Sequence, residues 1–236
     1  MCGRYYVATE EELAEMREII EEVAWNLGKA PAEAEIKTGE IFPTDRAPMF
    51  APPLVDASRR ADGRQRGGEL FGHAGWQWRL AKWGFPHWQA KRPIINARAE
   101  SAAEKPMFRR ALQASRCAVP AAGFYEWRHV GGKSTKERYL FKQVDGRMLY
   151  MAGLAGVFRG EGSGGGNDAS SVEGSGAVAY EAFTILTTAA NGSVADIHNR
   201  MPVILAMEEL GLWARDMAFV EEALRRPGPG LVRIAA

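Results

Sequence analysis

The sequence predicts an α+β fold, built on one strongly curved or barrel-like sheet of antiparallel strands with a few helices at its periphery. Three observations lead there. Short runs rich in β-branched and aromatic residues recur from Gly39 onward, proline and glycine punctuate them, and helical periodicity is confined to a few isolated stretches. A chain of 236 residues without internal repeats suits one domain over 1–236 and can bury a substantial core.

The first element is helical. Thr9 followed by Glu12 makes a capping box ahead of a helix reaching about Asn26, with Leu13, Met16, Ile20, Val23 and Leu27 on one stripe and Gly28 as its stop. From Gly39 the chain reads as short strands, and Trp76, Trp78, Leu80 and Lys82 alternate at strand period. A second short helix fits residues 105–115, and residues 117–120 and 124–128 read as strands, with Gly131-Gly132 turning the chain back. Residues 139–142 and 148–154 continue a meander, with Asp145-Gly146 as the hairpin turn. Residues 160–176 are nearly all glycine, serine and small polar groups, which predicts a flexible surface loop. It reads as an insertion, because strand-like sequence resumes at residues 183–187. A strand at 202–205, two short helices over 208–225 and a last strand at 231–234 complete the chain.

Thirty basic and twenty-nine acidic residues leave a net charge of +1, so the chain lacks the overall positive field of a histone-like binder. Any nucleic-acid contact must come from local clusters. Its two cysteines, Cys2 and Cys117, have no CxxC or Cys/His spacing, which argues against a disulfide framework and a structural zinc site and implies a reducing compartment. No metal or cofactor is expected. No apolar run reaches the roughly 18 residues that span a bilayer, and the amino end lacks the pattern of a signal peptide, so a cytoplasmic protein without membrane contact is expected.

Chemistry concentrates in five places. Cys2 stands behind the initiator methionine, and its small side chain permits methionine removal. The α-amine then lies beside the Cys2 thiol, and with a reference pKa near 8 roughly a tenth of it is neutral at pH 7. Such a 1,2-aminothiol condenses with an aldehyde to an imine, onto which the thiol closes as a thiazolidine ring. The competing reading is a small hydrophobe opening a buried edge strand. Asn96-Ala97-Arg98-Ala99-Glu100 follows Ile94-Ile95 and delivers Asn96 and Arg98 to one face of a strand end, where the Arg98 fork suits phosphate. A surface salt bridge plus a turn would use the same residues.

Gly123-Phe124-Tyr125-Glu126-Trp127 sets Glu126 among rings, a setting that raises a carboxylate pKa and suits it to proton transfer, unless the residue faces solvent. In Asp196-Ile197-His198-Asn199-Arg200-Met201-Pro202, His198 titrates near neutrality and can shuttle or orient a proton, whereas His73, His87 and His129 read as ordinary core or surface groups. Lys82-Trp83-Gly84-Phe85 offers either a platform for stacked bases or simple core packing. Arg4, beside the nucleophile, is a candidate phosphate contact.

These motifs, with Thr187 ahead of the histidine motif, occur in an order that resembles the SRAP (SOS response-associated peptidase) family from Cys2 to about Leu210. Members of that family cross-link to abasic sites in single-stranded DNA. The resemblance implies an open antiparallel barrel with flanking helices, acting as a monomer at single-strand/double-strand junctions, in the cytoplasm and on the nucleoid. It implies Cys2 as nucleophile, Asn96 positioning the sugar, Arg98 on phosphate, Glu126 as acid/base for ring opening and reversal, and His198 assisting the imine step. Arg4, Pro43, Trp83, Phe85, Arg98, Thr187 and Arg200 fall where the family grips DNA. Lyase-like imine chemistry, Met1 removal and self-processing peptidase activity are implied as well. Three departures stand out: Glu40-Ile41-Phe42-Pro43-Thr44-Asp45 keeps the proline of the family's Tyr-Asn-x-Ala-Pro stretch but alters its polar groups, and the glycine-serine loop and the short tail after Leu210 differ from longer members. The alternatives are an amino-terminal-cysteine glutamine amidohydrolase, with the α-amine as base, and a non-covalent single-stranded DNA binder.

Overall fold

The computed structural model describes residues 3–9, 12–52, 75–87, 92–129, 136–160 and 178–236. In chain order the elements are β1 (Tyr5–Val7), α1 (Ala14–Asn26), β2 (Gly39–Ile41), β3 (Arg46–Ala51), β4 (Gln77–Trp83), β5 (Asn96–Arg98), α2 (Ala99–Ala102) and α3 (Pro106–Ala114). There follow β6 (Arg116–Ala121), β7 (Gly123–His129), β8 (Lys136–Gln143), β9 (Leu149–Gly160), β10 (Val178–Ala189), β11 (Arg200–Pro202) and β12 (Ile204–Leu205). The chain ends with α4 (Leu210–Arg215), α5 (Met217–Arg225) and β13 (Leu231–Ala235).

The α+β barrel with flanking helices is present, and its ring closes. Antiparallel pairs β4–β3, β3–β6, β6–β9 and β9–β10 are joined end to end by the parallel pair β10–β4. A second parallel pairing attaches β5 to β10, and β11 runs antiparallel along the far end of β10. A second, all-antiparallel sheet has the order β13-β8-β7-β1-β2. Trp78, Trp83, Tyr5, Phe50 and Phe183 are among the largest side chains fully buried in the core. Tyr5 of the second sheet meets Trp83 of the barrel edge-on, with ring centroids 5.0 Å apart.

Expectation and structure differ in particular places. The capping box forms, with the Glu12 N–H donating to Thr9 Oγ1 at 3.2 Å and the Thr9 N–H to Glu12 Oε2 at 2.8 Å, but the helix itself begins at Ala14. Its buried face is Met16, Ile19, Ile20, Val23 and Ala24, while Leu27 is 41% exposed because it follows the last helical turn. Gly28 does stop the helix: at φ +67°, its N–H and that of Lys29 donate to the Trp25 and Ala24 carbonyls in a Schellman motif. Asp145-Gly146 turns the chain, with Gly146 at φ +77°, but makes no hairpin, because β8 pairs with β7 and β13 while β9 pairs with β6, β10 and β12. A turn signal is local and does not name the strands it separates. The strand expected at 202–205 is split, Arg200–Pro202 pairing with β10 and Ile204–Leu205 with β9. Gly131-Gly132, His73 and nearly all of the 160–176 loop lie outside the described residues; the strands ending and starting at Gly160 and Val178 pair with each other.

Polar side chains tie helices to this frame. Glu22 and Asn26, one turn apart on α1, engage the Trp78 N–H at 3.0 Å and the Trp78 carbonyl at 2.9 Å, occupying the edge of β4 as a strand would. Arg116 is buried without a carboxylate partner among the described residues. Its guanidinium donates to the carbonyls of Leu112 (2.6 Å), Gln113 (3.1 Å), Trp213 (2.7 Å) and Ala214 (2.7 Å), which close the C-terminal ends of α3 and α4. A cation there complements both helix dipoles. Among the described residues no helix is long and apolar enough to cross a membrane.

Candidate functional site

Glu126 is a buried carboxyl on the second sheet. Strand β7 runs between β1 and β8, and its alternation puts Phe124 and Glu126 on one face and Tyr125 and Trp127 on the other. Phe124 stacks on Phe141 at 5.3 Å, so the face carrying Glu126 belongs to the core, and Glu126 is only 2% exposed. Burial pushes its carboxyl up to about 7. A carboxyl with that value is half protonated at neutral pH and can give or take a proton with little cost either way.

The opposite face is charged and aromatic. The Arg4 carbonyl accepts from the Tyr125 N–H at 2.9 Å, which holds the start of β1 beside the Tyr125-Glu126 step. The Arg4 guanidinium donates to Glu40 Oε2 at 2.9 Å and lies over the rings of Phe42 (4.2 Å) and Trp127 (5.3 Å). Arg138, across from Trp127 on β8, donates to Glu40 Oε1 at 2.8 Å and lies 4.9 Å from the Tyr125 ring centroid. Half-buried Pro43 occupies the second position of the turn over residues 42–45, which Asp45 closes through the bond from its N–H to the Phe42 carbonyl at 3.0 Å. Thr44, third in this turn, sits at φ +77°, a left-handed conformation that costs a β-branched residue on the order of 1–3 kcal/mol.

The Asn96 and His198 motifs meet across β10. Register pairs Asn96 with Ile185 and Arg98 with Thr187 on one side of β10, and Thr187 with Pro202 on the other. Arg200 locks this junction: it makes a bidentate ion pair with Glu100 (2.6 and 2.8 Å) and donates to the Thr187 carbonyl at 2.5 Å. Pairing with Arg200 holds the Glu100 carboxylate below its ordinary value. His198 is half-buried, and its Nδ1 lies 3.0 Å from the Arg200 nitrogen and 3.2 Å from the Arg200 carbonyl oxygen. The Arg200 N–H donates to Nδ1, which makes Nδ1 the acceptor nitrogen and anchors the ring to its own loop. The Asp196–Arg233 ion pair ties this loop to β13 of the second sheet.

Not every expected DNA contact reaches the surface. Trp83 is fully buried, with its Nε1 donating to the Ile95 carbonyl at 3.0 Å, and Phe85 is 2% exposed against Phe158 at 4.8 Å. Neither ring is available to a base; both are core. Thr187 is likewise fully buried, its hydroxyl 3.4 Å from the Ala97 carbonyl, and Arg200 is occupied by Glu100 and Thr187. Arg98 is different, exposed and without a hydrogen bond or ion pair among the described residues. Asn96 is half-buried at the strand end. Cys2 lies outside the described residues. Cys117 is no substitute for it, since full burial pushes its thiol far above the ordinary range. Sequence reading did not single out Glu40, Arg138 or Glu100 as partners; a signal existed only in the departure at Glu40, because cross-strand neighbours are set by register.

A closed barrel packed on a second antiparallel sheet, with a buried carboxyl on one sheet and the Asn96, Arg98 and His198 motifs joined through one strand of the other, defines the class of α+β barrel proteins to which the chain belongs. The chain belongs to the SOS response associated peptidase (SRAP) family, whose profile matches residues 1–227. It is similar to abasic site processing protein YedK of Escherichia coli K12, 33% identical over 153 residues that cover 64% of this chain and 60% of that protein. It is also similar to abasic site processing protein YoaM of Bacillus subtilis 168, 37% identical over 139 residues that cover 56% of this chain and 54% of that protein. These matches thus span little more than half the length of the curated relatives. Crystal structures of proteins from Bordetella bronchiseptica (22% identity, TM-score 0.66, covering 100% of this chain and 99% of that one) and Bacteroides thetaiotaomicron (20%, 0.66, 99% and 91%) share the fold.

Proposed function

We propose that this chain, once Met1 is removed, cross-links through Cys2 to abasic sites in single-stranded DNA. The observation that carries the reading is Glu126, a buried carboxyl with a pKa of about 7 beside the Tyr125 N–H that binds the Arg4 carbonyl. Only Gly3 separates Cys2 from Arg4 in the chain, a reach of at most about 7 Å. Ring opening of the sugar hemiacetal moves one proton onto the ring oxygen and one off the anomeric hydroxyl, and Glu126 serves both transfers. The Cys2 amine adds to the aldehyde, water leaves to give the imine, and the thiol sulfur adds to the imine carbon as its proton passes to nitrogen. The product is a thiazolidine. His198, held through Nδ1, exchanges protons at Nε2 during loss of water, and exposed Arg98 takes a phosphate. The site of action is cytoplasmic single-stranded DNA, including strand junctions at replication forks.

Intact-protein mass and denaturing gels after incubation with an abasic oligonucleotide test this. Protein lacking Met1 forms a detergent-stable adduct; undamaged DNA gives none. Cys2→Ala abolishes the thiazolidine, and Cys2→Ser retains an imine that borohydride traps. An unchanged yield with Cys2→Ala overturns the proposal. Glutamine hydrolysis without adduct points instead to an amidohydrolase, and binding that detergent dissociates points to a non-covalent binder.

A further inference from the structure

Two guanidinium groups converge on one carboxylate on the face of β7 opposite the Glu126 side chain. Arg4 and Arg138 come from different strands, and each donates to a different oxygen of Glu40, at 2.9 and 2.8 Å. Both are braced by aromatic rings, Arg4 over Phe42 and Trp127 and Arg138 over Tyr125. The Tyr125 hydroxyl faces the same carboxylate, and burial first, then the Glu40 charge, push its pKa above the ordinary value. Three donors around one anion make an oxyanion cradle. Its occupant is a side chain of the protein itself, and Arg4, Glu40 and Arg138 each keep about a quarter to a third of the side chain in contact with solvent.

We infer that Arg4, Arg138 and Tyr125 form a phosphodiester subsite that Glu40 fills in the free protein and that a DNA phosphate takes over on binding. The inference rests on the proposed single-stranded DNA function and adds to it a phosphate ligand, Arg138, and an internal competitor, Glu40. Charge supports the exchange: two cations share one anion, so the cradle carries a net positive charge even when filled. Energetics support it too, because partly exposed ion pairs hold by less than about tenfold each. A phosphate that displaces Glu40 keeps both guanidinium groups paired and releases counterions from the strand. The freed carboxylate returns to water at the rim. Arg138 pairs across from Trp127, so the cradle lies on the outer face of the same strand that carries Glu126 on its inner face.

The test is non-covalent binding of a single-stranded oligonucleotide carrying one tetrahydrofuran, an abasic analogue that cannot open to an aldehyde, measured against salt. Glu40→Gln tightens binding severalfold at low salt and leaves the slope of log affinity against log salt unchanged. Arg138→Ala lowers that slope by about 0.7, the value for one phosphate contact on a single strand. Arg138→Lys keeps the slope, which separates charge from shape. An unchanged slope in Arg138→Ala, or weaker binding in Glu40→Gln with its melting temperature intact, overturns the inference. If Glu40→Gln fails to fold, the two Arg138 variants decide alone. Wild-type protein that binds no single-stranded DNA removes both this inference and the function it rests on. Wild-type protein that gives the expected slopes but no covalent adduct with true abasic DNA removes only the cross-linking chemistry.

Discussion

Replacing Glu126 by Gln separates the stability of this site from its chemistry. Burial raises the Glu126 carboxyl from 4.5 to about 7, so between those pH values the folded protein holds a proton that the unfolded chain has released. Stability from this group is therefore complete below about pH 4.5 and falls as pH rises through 7. At about 1.4 kcal/mol per pH unit the full loss is about 3 kcal/mol, and for a domain of this size that is roughly 10 °C in melting temperature. Glu126→Gln has the shape of the neutral acid and does not titrate. The expected result is near-equal stability of the two proteins at pH 4.5 and a gap in the variant's favour that opens to about 3 kcal/mol by pH 8. Urea unfolding across that range measures it, and the difference between the proteins cancels the titrating groups that do not interact with Glu126. A gap that stays constant with pH refutes the argument that burial holds this carboxyl neutral. The same variant should slow cross-linking about a hundredfold or more, and slow reversal of isolated adduct as well, because a catalyst of one direction catalyses the other. Greater stability with unchanged rates in both directions removes Glu126 from the mechanism while leaving the electrostatics intact.

The remaining predictions follow from the other polar contacts. Arg98→Ala lowers the salt slope of single-strand binding by about 0.7, whereas Arg200→Ala leaves the slope unchanged but slows adduct formation, because it frees the Asn96–Glu100 strand end from Thr187; equal slopes in Arg98→Ala and wild type refute the phosphate role. Arg116→Met strands four backbone carbonyls at the ends of α3 and α4 and should cost about 3–5 kcal/mol, read from the urea midpoint, with Arg116→Lys recovering part of it. Trp83→Phe should lower the melting temperature through the lost bond to the Ile95 carbonyl without changing the salt slope; a lowered slope would return Trp83 to the DNA surface.

Local chemistry was legible in the sequence where a residue's neighbours in the chain determine its behaviour. The Schellman stop at Gly28, the helix over Pro106–Ala114 and the strands around Phe124 and Phe183 follow from glycine's freedom at positive φ and from periodicity, both short-range. The aromatic setting of Glu126 was readable for the same reason, since the flanking rings are its immediate neighbours. What only the tertiary structure decided concerns partners distant in sequence. Alternation of apolar residues reports that a strand has a buried face but not which strand lies beside it or in which direction. For that reason the parallel β10–β4 closure and the separation of β8 from β9 could not be read. Trp83, Phe85 and Thr187 look like contact residues in a motif and become core residues in the barrel, because the same side chain serves either purpose and burial selects between them. Arg4 and Arg200 are arginines in any reading. Whether each meets a phosphate or a carboxylate of its own chain depends on Glu40, Arg138 and Glu100, which register across strands brings within 3 Å and sequence separation conceals.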